Sequence, residues 1–157
     1  MNFDFENVML TSHYTYDVEI YQCLGFSSEN RRRAFLERSR PNALVVTYLT
    51  RECGDPDAGC VVGIGLTNGL LGSMRDFTPS HAHRANCAEV CDNWPFAIQY
   101  NRAWSISKKD RMDVRDFAPI TYQVQYARDI GARGRLLAQC EAKKIASLHL
   151  KELRLVR

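Results

Sequence analysis

The stretch HAHRANCAEVC, residues 81–91, holds a dense group of potential ligand atoms in this 157-residue chain: His81, His83, Cys87 and Cys91. All four are zinc-ligating types, and on a helix Cys87 and Cys91 would share one face. Structural zinc more often uses shorter cysteine pairs from separate turns, and a core-facing helix stripe gives the same four-residue spacing. Both readings stay open. A thiolate beside an imidazole is the second chemistry these types allow, with Cys23 or Cys60 as further thiols, although six cysteines and four histidines make chance pairing easy. The chain has no P-loop, HExxH, CxxC or GxSxG. GIGLTNG (63–69) lacks the spacing and βαβ setting of a dinucleotide loop, and reads as a bent strand followed by a turn.

Arginines and aromatics offer a different chemistry. GFSSENRRRAFLER (25–38) sets Arg31, Arg32 and Arg33 at what reads as a helix start, just after Phe26, Ser27 and Ser28. A helix N-terminus favours anions, so three cations there carry a modest local cost and point to a use such as phosphate binding; the alternative is a solvated charged face. Tyr14, Tyr16, Phe26, Phe77, Trp94 and Trp104 fall at expected strand edges or in loops. Either they plug the core, or some present a π-face on which an extruded base can stack while arginines hold phosphates.

These side chains need elements to position them. A serine cap at Ser27 or Ser28, charges around Ala34 and Phe35, and the stop at Pro41 predict a surface helix over 29–39. NALVVTYLT (42–50) and GCVVGIGLT (59–67) predict a β-hairpin across the turn-forming ECGDPDAG. Residues 68–93 read as a long, largely irregular connection, with a short helix around HRANCAEVC. WPFAIQYNRAWSI (94–106) predicts a third strand, and Leu136, Leu137, Cys140, Ile145, Leu148 and Leu153 recur at helical intervals, which predicts a closing helix. Residues 8–22 stay open between strand, turn and helix. This order departs from strict βα alternation and predicts an α+β fold with a small, curved, mostly antiparallel sheet, bent at the glycines of VVGIG into a partly closed barrel with flanking helices.

Composition bounds the class. Hydrophobic residues at 45% and charged residues at 25% exclude disordered and collagen-like chains, and the length suits one domain. Twenty-one basic and 18 acidic residues leave a net charge of +3, so distribution matters more than the total. Arg31, Arg32, Arg33, Arg38 and Arg40 cluster early; Arg128, Arg133, Arg135, Lys143, Lys144, Lys151, Arg154 and Arg157 cluster late. A fold that joins the two groups makes a basic face. With neither an apolar run of membrane length nor a secretory leader pattern in MNFDFENVML, the expected location is the cytoplasm and the cysteines are expected as free thiols.

GFSSENRRRAFLER resembles the segment of YTH and EVE domains, in the PUA-like superfamily, where an aromatic, small polar residues and an asparagine lead into a basic helix. NALVVTYLT, GCVVGIGLT and NWPFAIQYNRAWSI are similar to the strands that follow in that family, and QYARDIGARGRLLAQCEAKKIASL is similar to its closing segment. The resemblance covers about residues 8–150 and rests on element order and short motifs. It implies a PUA-like fold, no catalysis by the domain itself, no cofactor, and a modified base held in an aromatic cage: methylated cytosine or adenine, in double-stranded DNA. By position it implies Phe26 as one cage wall in place of the family's usual tryptophan. Phe77, Trp94 and Tyr14 would complete the cage, Ser27, Ser28 and Asn30 would meet the base edge, and Arg31, Arg32 and Arg33 would bind phosphates. It also implies a modification-dependent restriction system, in which a chain ending at LKELRLVR would continue into, or partner, a nuclease. The alternatives are a zinc-stabilised or cysteine-dependent small enzyme, and a PUA-like RNA-binding module indifferent to modification.

Overall fold

The computed structural model describes residues 2–13, 18–51, 54–78, 90–123, 130–131 and 133–155. Its elements are β1 (Val8–His13), β2 (Cys23–Phe26), α1 (Glu29–Arg38), β3 (Leu44–Leu49), β4 (Val61–Ser73), α2 (Met74–Phe77), β5 (Phe96–Ile106), α3 (Val114–Phe117), β6 (Arg135–Leu136), α4 (Gln139–Ala142) and β7 (Leu150–Glu152). Two 3-10 turns, Lys108–Asp110 and Lys143–Ser147, are also present. No helix among the described residues is long and apolar enough to cross a membrane.

The seven strands form one sheet in the order β2-β5-β4-β3-β1-β6, with β7 pairing the part of β5 that β2 leaves open. The fold is mixed α and β, and the expected hairpin is present as β3 against β4. One expectation needs correction. The sheet does not close into a barrel: β2 and β6 end the strand order and do not pair with each other. It is mostly antiparallel, as expected, with β1 running parallel to β3 from Val8↔Leu44 to His13↔Leu49.

Strand β3, LVVTYL, is buried at every position, as expected of a β-branched run with neighbours on both edges and cover on both faces. One core gathers Met9, Leu24, Phe26, Phe35, Val45 and Ile98; the second gathers Val8, Leu10, Val46, Ile64, Trp104 and Phe117. Glycines allow the sheet to coil. A Cβ at Gly65 would lie 2.4 Å from the Tyr100 ring, which fills the space instead.

The closing helix is also corrected. Residues 139–147 make only a helical turn and a 3-10 turn, and Leu150–Glu152 become β7. Pairing with Trp104–Ile106 of β5 outweighs the local helical pattern. Glu141, 1% exposed, anchors this end: its carboxylate accepts hydrogen bonds from the Ile120 N–H (2.6 Å), the Thr121 N–H (3.0 Å) and the Thr121 hydroxyl (2.6 Å).

Candidate functional site

The GFSS segment forms the end of β2 and the approach to α1. Ser28 has extended backbone and its Oγ accepts from the Arg31 N–H at 3.2 Å, so it is the N-cap. Glu29 supplies the anion that the helix start favours. Ser27 and Asn30 are exposed beside it.

Phe26 takes a different position from the one the resemblance implies. It is 0% exposed, its ring centroid lies 5.7 Å from that of Phe35 on α1, and it belongs to the core. A fully enclosed ring offers no face to a base, so Phe26 is not a cage wall in this structure. The arginine run divides as well. Arg32 turns inward: its Nη1 donates to the Gly72 carbonyl at 3.1 Å and the Ala97 carbonyl at 3.2 Å, and its guanidinium lies 5.4 Å from the Phe96 ring centroid. It clamps α1 to β4 and β5, which removes it from the phosphate-binding set. Arg31 and Arg33 are exposed and make no ion pair among the described residues.

Phe77 and Trp94 lie at the two ends of one row of small residues. Gly25 pairs with Ala97, and Ala97 with Gly72, so three small residues lie abreast across β2, β5 and β4. At the usual strand spacing this floor spans roughly 10 Å. A Cβ at Gly72 would lie 2.6 Å from the Phe77 Cζ; one at Gly25 would lie 3.0 Å from the Met74 Sδ and 3.2 Å from the Trp94 Cβ. Phe77 and Trp94 are both half-buried, and Met74, which packs over Gly25 beside the Trp94 Cβ, is 2% exposed. Local bonds hold the arrangement: Ser73 caps α2 by accepting from the Asp76 N–H, and the Met74 N–H donates to the Pro95 carbonyl at 3.2 Å. The Thr78 hydroxyl donates to the Met74 carbonyl at 2.7 Å.

Comparison with protein families, with curated proteins and with solved structures finds no match to this chain. Its own geometry therefore carries the reading.

Tyr14, His81, His83 and Cys87 lie outside the described residues. Among the described residues, no three His, Cys, Asp or Glu side chains gather as a metal would require. Cys91 is buried in the same core as Cys23. Burial pushes the Cys23 thiol far above its usual range, and nearby Cys91 adds to the effect. The Cys60 thiol is also raised, by burial first and then by Asp57 and Asp113. Raised thiols are poor nucleophiles, which weighs against a cysteine-dependent reaction at Cys23 or Cys60.

A cleft of about 650 Å³ opens at the other end of β4 and β5, over Val18, Leu49 and Val62, with Asp57 and Arg111 at its rim. Those two charges satisfy each other at 2.6 Å, and Arg111 also donates to the Ile106 carbonyl. The residues that sequence reasoning misses are Arg32 as a clamp, Met74 as the filler, and the Gly25–Ala97–Gly72 floor. Glycines inside strands at 25 and 72 are the available signal for the floor.

Proposed function

We propose that this chain is a PUA-like nucleic-acid-binding domain that reads a modified base, methylated cytosine or adenine in duplex DNA, as the specificity part of a modification-dependent restriction system. The observation that carries the reading is the convergence of Phe77 and Trp94 on the Gly25–Ala97–Gly72 floor, beside a helix start that exposes Arg31 and Arg33. A flat ring needs a floor of small residues beside aromatic side chains, and the row Gly25–Ala97–Gly72 under Phe77, with Trp94 rooted at its other end, supports that reading. Met74 is the side chain that yields space, since an unbranched thioether repacks at low cost.

Extruding a base from a duplex costs a few kcal/mol, and stacking returns about 1–3 kcal/mol per ring. A methyl group on the base adds apolar contact and strengthens stacking, so the modified base gains most. Ser27 and Asn30, exposed at the start of α1, supply polar contacts to the base edge, and Arg31 and Arg33 hold the flanking phosphates.

Fluorescence anisotropy with matched duplexes carrying cytosine, 5-methylcytosine, 5-hydroxymethylcytosine, adenine or N6-methyladenine tests this at fixed salt. A preference of about tenfold, or 1.4 kcal/mol, for one modified duplex is the expected result. Equal binding to all of them would refute base reading, and tighter binding to single-stranded RNA without a modification preference would move the chain to the RNA-binding alternative.

A further inference from the structure

The cleft of about 650 Å³ opens where the sheet splits. Strand β4 pairs with β5 as far as Gly63↔Ser105, but its first residues turn to another partner: the Val61 N–H donates to the Met112 carbonyl at 2.9 Å, and Cys60 bridges Asp113. Between these two pairings the chain leaves β5 through the 3-10 turn at Lys108–Asp110. Val18 packs against Gly63, where an added Cβ would lie 3.0 Å from the Val18 Cβ. The apolar floor is Val18, Leu49, Val62 and Ile106, each 5% exposed or less.

The walls carry polar groups that the fold does not use. Ser105, 9% exposed, and Ser107 line the cleft, and neither hydroxyl has a hydrogen-bond partner among the described residues. Lys108 follows them and makes no ion pair among the described residues. The 55–57 turn brings Asp55 to the same cleft, where its carboxylate accepts only the Asp57 N–H, at 2.8 Å, among the described residues. Arg111 ties the two walls together through its 2.6 Å ion pair with Asp57 and its bond to the Ile106 carbonyl. Glu19 also lines the cleft and has a partner of its own. A nearly enclosed hydroxyl without a partner is costly, and a lysine and an aspartate that line one cleft without pairing suit a ligand that carries both charges.

We infer that this cleft binds a small zwitterion of the amino-acid class, with a carboxylate and an ammonium group on a short apolar stem. Lys108 and the Ser105 and Ser107 hydroxyls take the carboxylate, Asp55 takes the ammonium, and the stem rests on the apolar floor. The site lies at the other end of β4 and β5 from the Gly25–Ala97–Gly72 floor, and the inference does not depend on the nucleic-acid reading.

Isothermal titration calorimetry of the whole chain with L-alanine, L-valine and L-leucine tests this, followed by the N-acetyl and amide derivatives of whichever binds best. Each derivative lacks one charge and should bind about tenfold more weakly or worse than the free amino acid. Lys108→Met should weaken the amino acid and its N-acetyl form and leave the amide unchanged. Asp55→Asn keeps the acceptor for the Asp57 N–H; it should weaken the amino acid and its amide and leave the N-acetyl form unchanged. Ser105→Ala should weaken both carboxylate-bearing forms about tenfold. Binding by none of the three amino acids overturns the inference, as do equal affinities for the free and derivatised forms or losses that ignore which charge was removed.

Discussion

Arg32 donates to the Gly72 carbonyl at 3.1 Å, tying the first turn of α1 to the strand floor beneath Phe77. The middle arginine of the RRR run is therefore a bracket, with its neighbours left to face outward. Arg32→Ala removes two part-buried hydrogen bonds and a cation–π contact, and should cost about 1–3 kcal/mol in urea unfolding. Arg31→Ala and Arg33→Ala should change stability by no more than about 0.5 kcal/mol, and each should reduce the salt slope of DNA binding. Equal stability losses at all three positions would contradict this division.

Phe26→Ala should destabilise the fold by about 3–5 kcal/mol, because a sealed ring against Phe35 leaves a cavity when removed. Phe77→Ala and Trp94→Ala start from half-buried side chains and should leave a cooperative thermal transition. Both should abolish discrimination between modified and plain duplexes. Retained discrimination in Trp94→Ala would remove that ring from the site.

Gly72→Ala places a methyl group where the Phe77 ring now lies, 2.6 Å from its Cζ. The ring must lift, at a cost of about 1–3 kcal/mol, and its placement over the floor changes. The expected result is a folded protein with modified-base affinity reduced more than plain-duplex affinity. Anisotropy on the two duplexes measures both together.

Burial lowers the His13 imidazole from 6.5 to about 4, so the folded state holds it neutral where the unfolded chain takes up a proton. Its contribution to stability is complete above pH 6.5 and is lost as pH falls to about 4, on the order of 3 kcal/mol in all. Urea midpoints across this window should fall with pH, and His13→Gln should flatten the dependence. A flat wild-type profile would contradict it.

Glu141→Ala leaves the Ile120 and Thr121 amides and the Thr121 hydroxyl without their shared acceptor. A loss of about 3 kcal/mol or more is expected in thermal unfolding, with Glu141→Gln intermediate because it keeps one acceptor oxygen.

The helix at 29–39 is readable because its signals are local: the Ser28 cap and the Pro41 stop act within a few residues. Strands β3, β4 and β5 announce themselves by β-branched and aromatic runs. Phe26 is not legible in the same way, because burial of a four-residue edge strand depends on what covers it, here Phe35 from a helix that follows in sequence and curls back. The closing leucines carry a helical period, yet β5 has an open edge that only the assembled sheet reveals. For the same reason the Gly25–Ala97–Gly72 floor is invisible in one dimension, since it exists only once two strand registers are fixed.

Strands β1 and β2 precede every partner they pair with, and the sheet sends them to different regions of its order. On the ribosome, at roughly 5–20 residues per second, Gly25 waits several seconds for Ala97, about 70 residues later, to emerge. The β3–β4–β5 meander can pair as it is made, but the strand that frames the aromatic floor is released early and joined late. Synthesis thus leaves the apolar CLGF strand without its partner until β5 arrives, and the pace of elongation between the two sets how long that lasts.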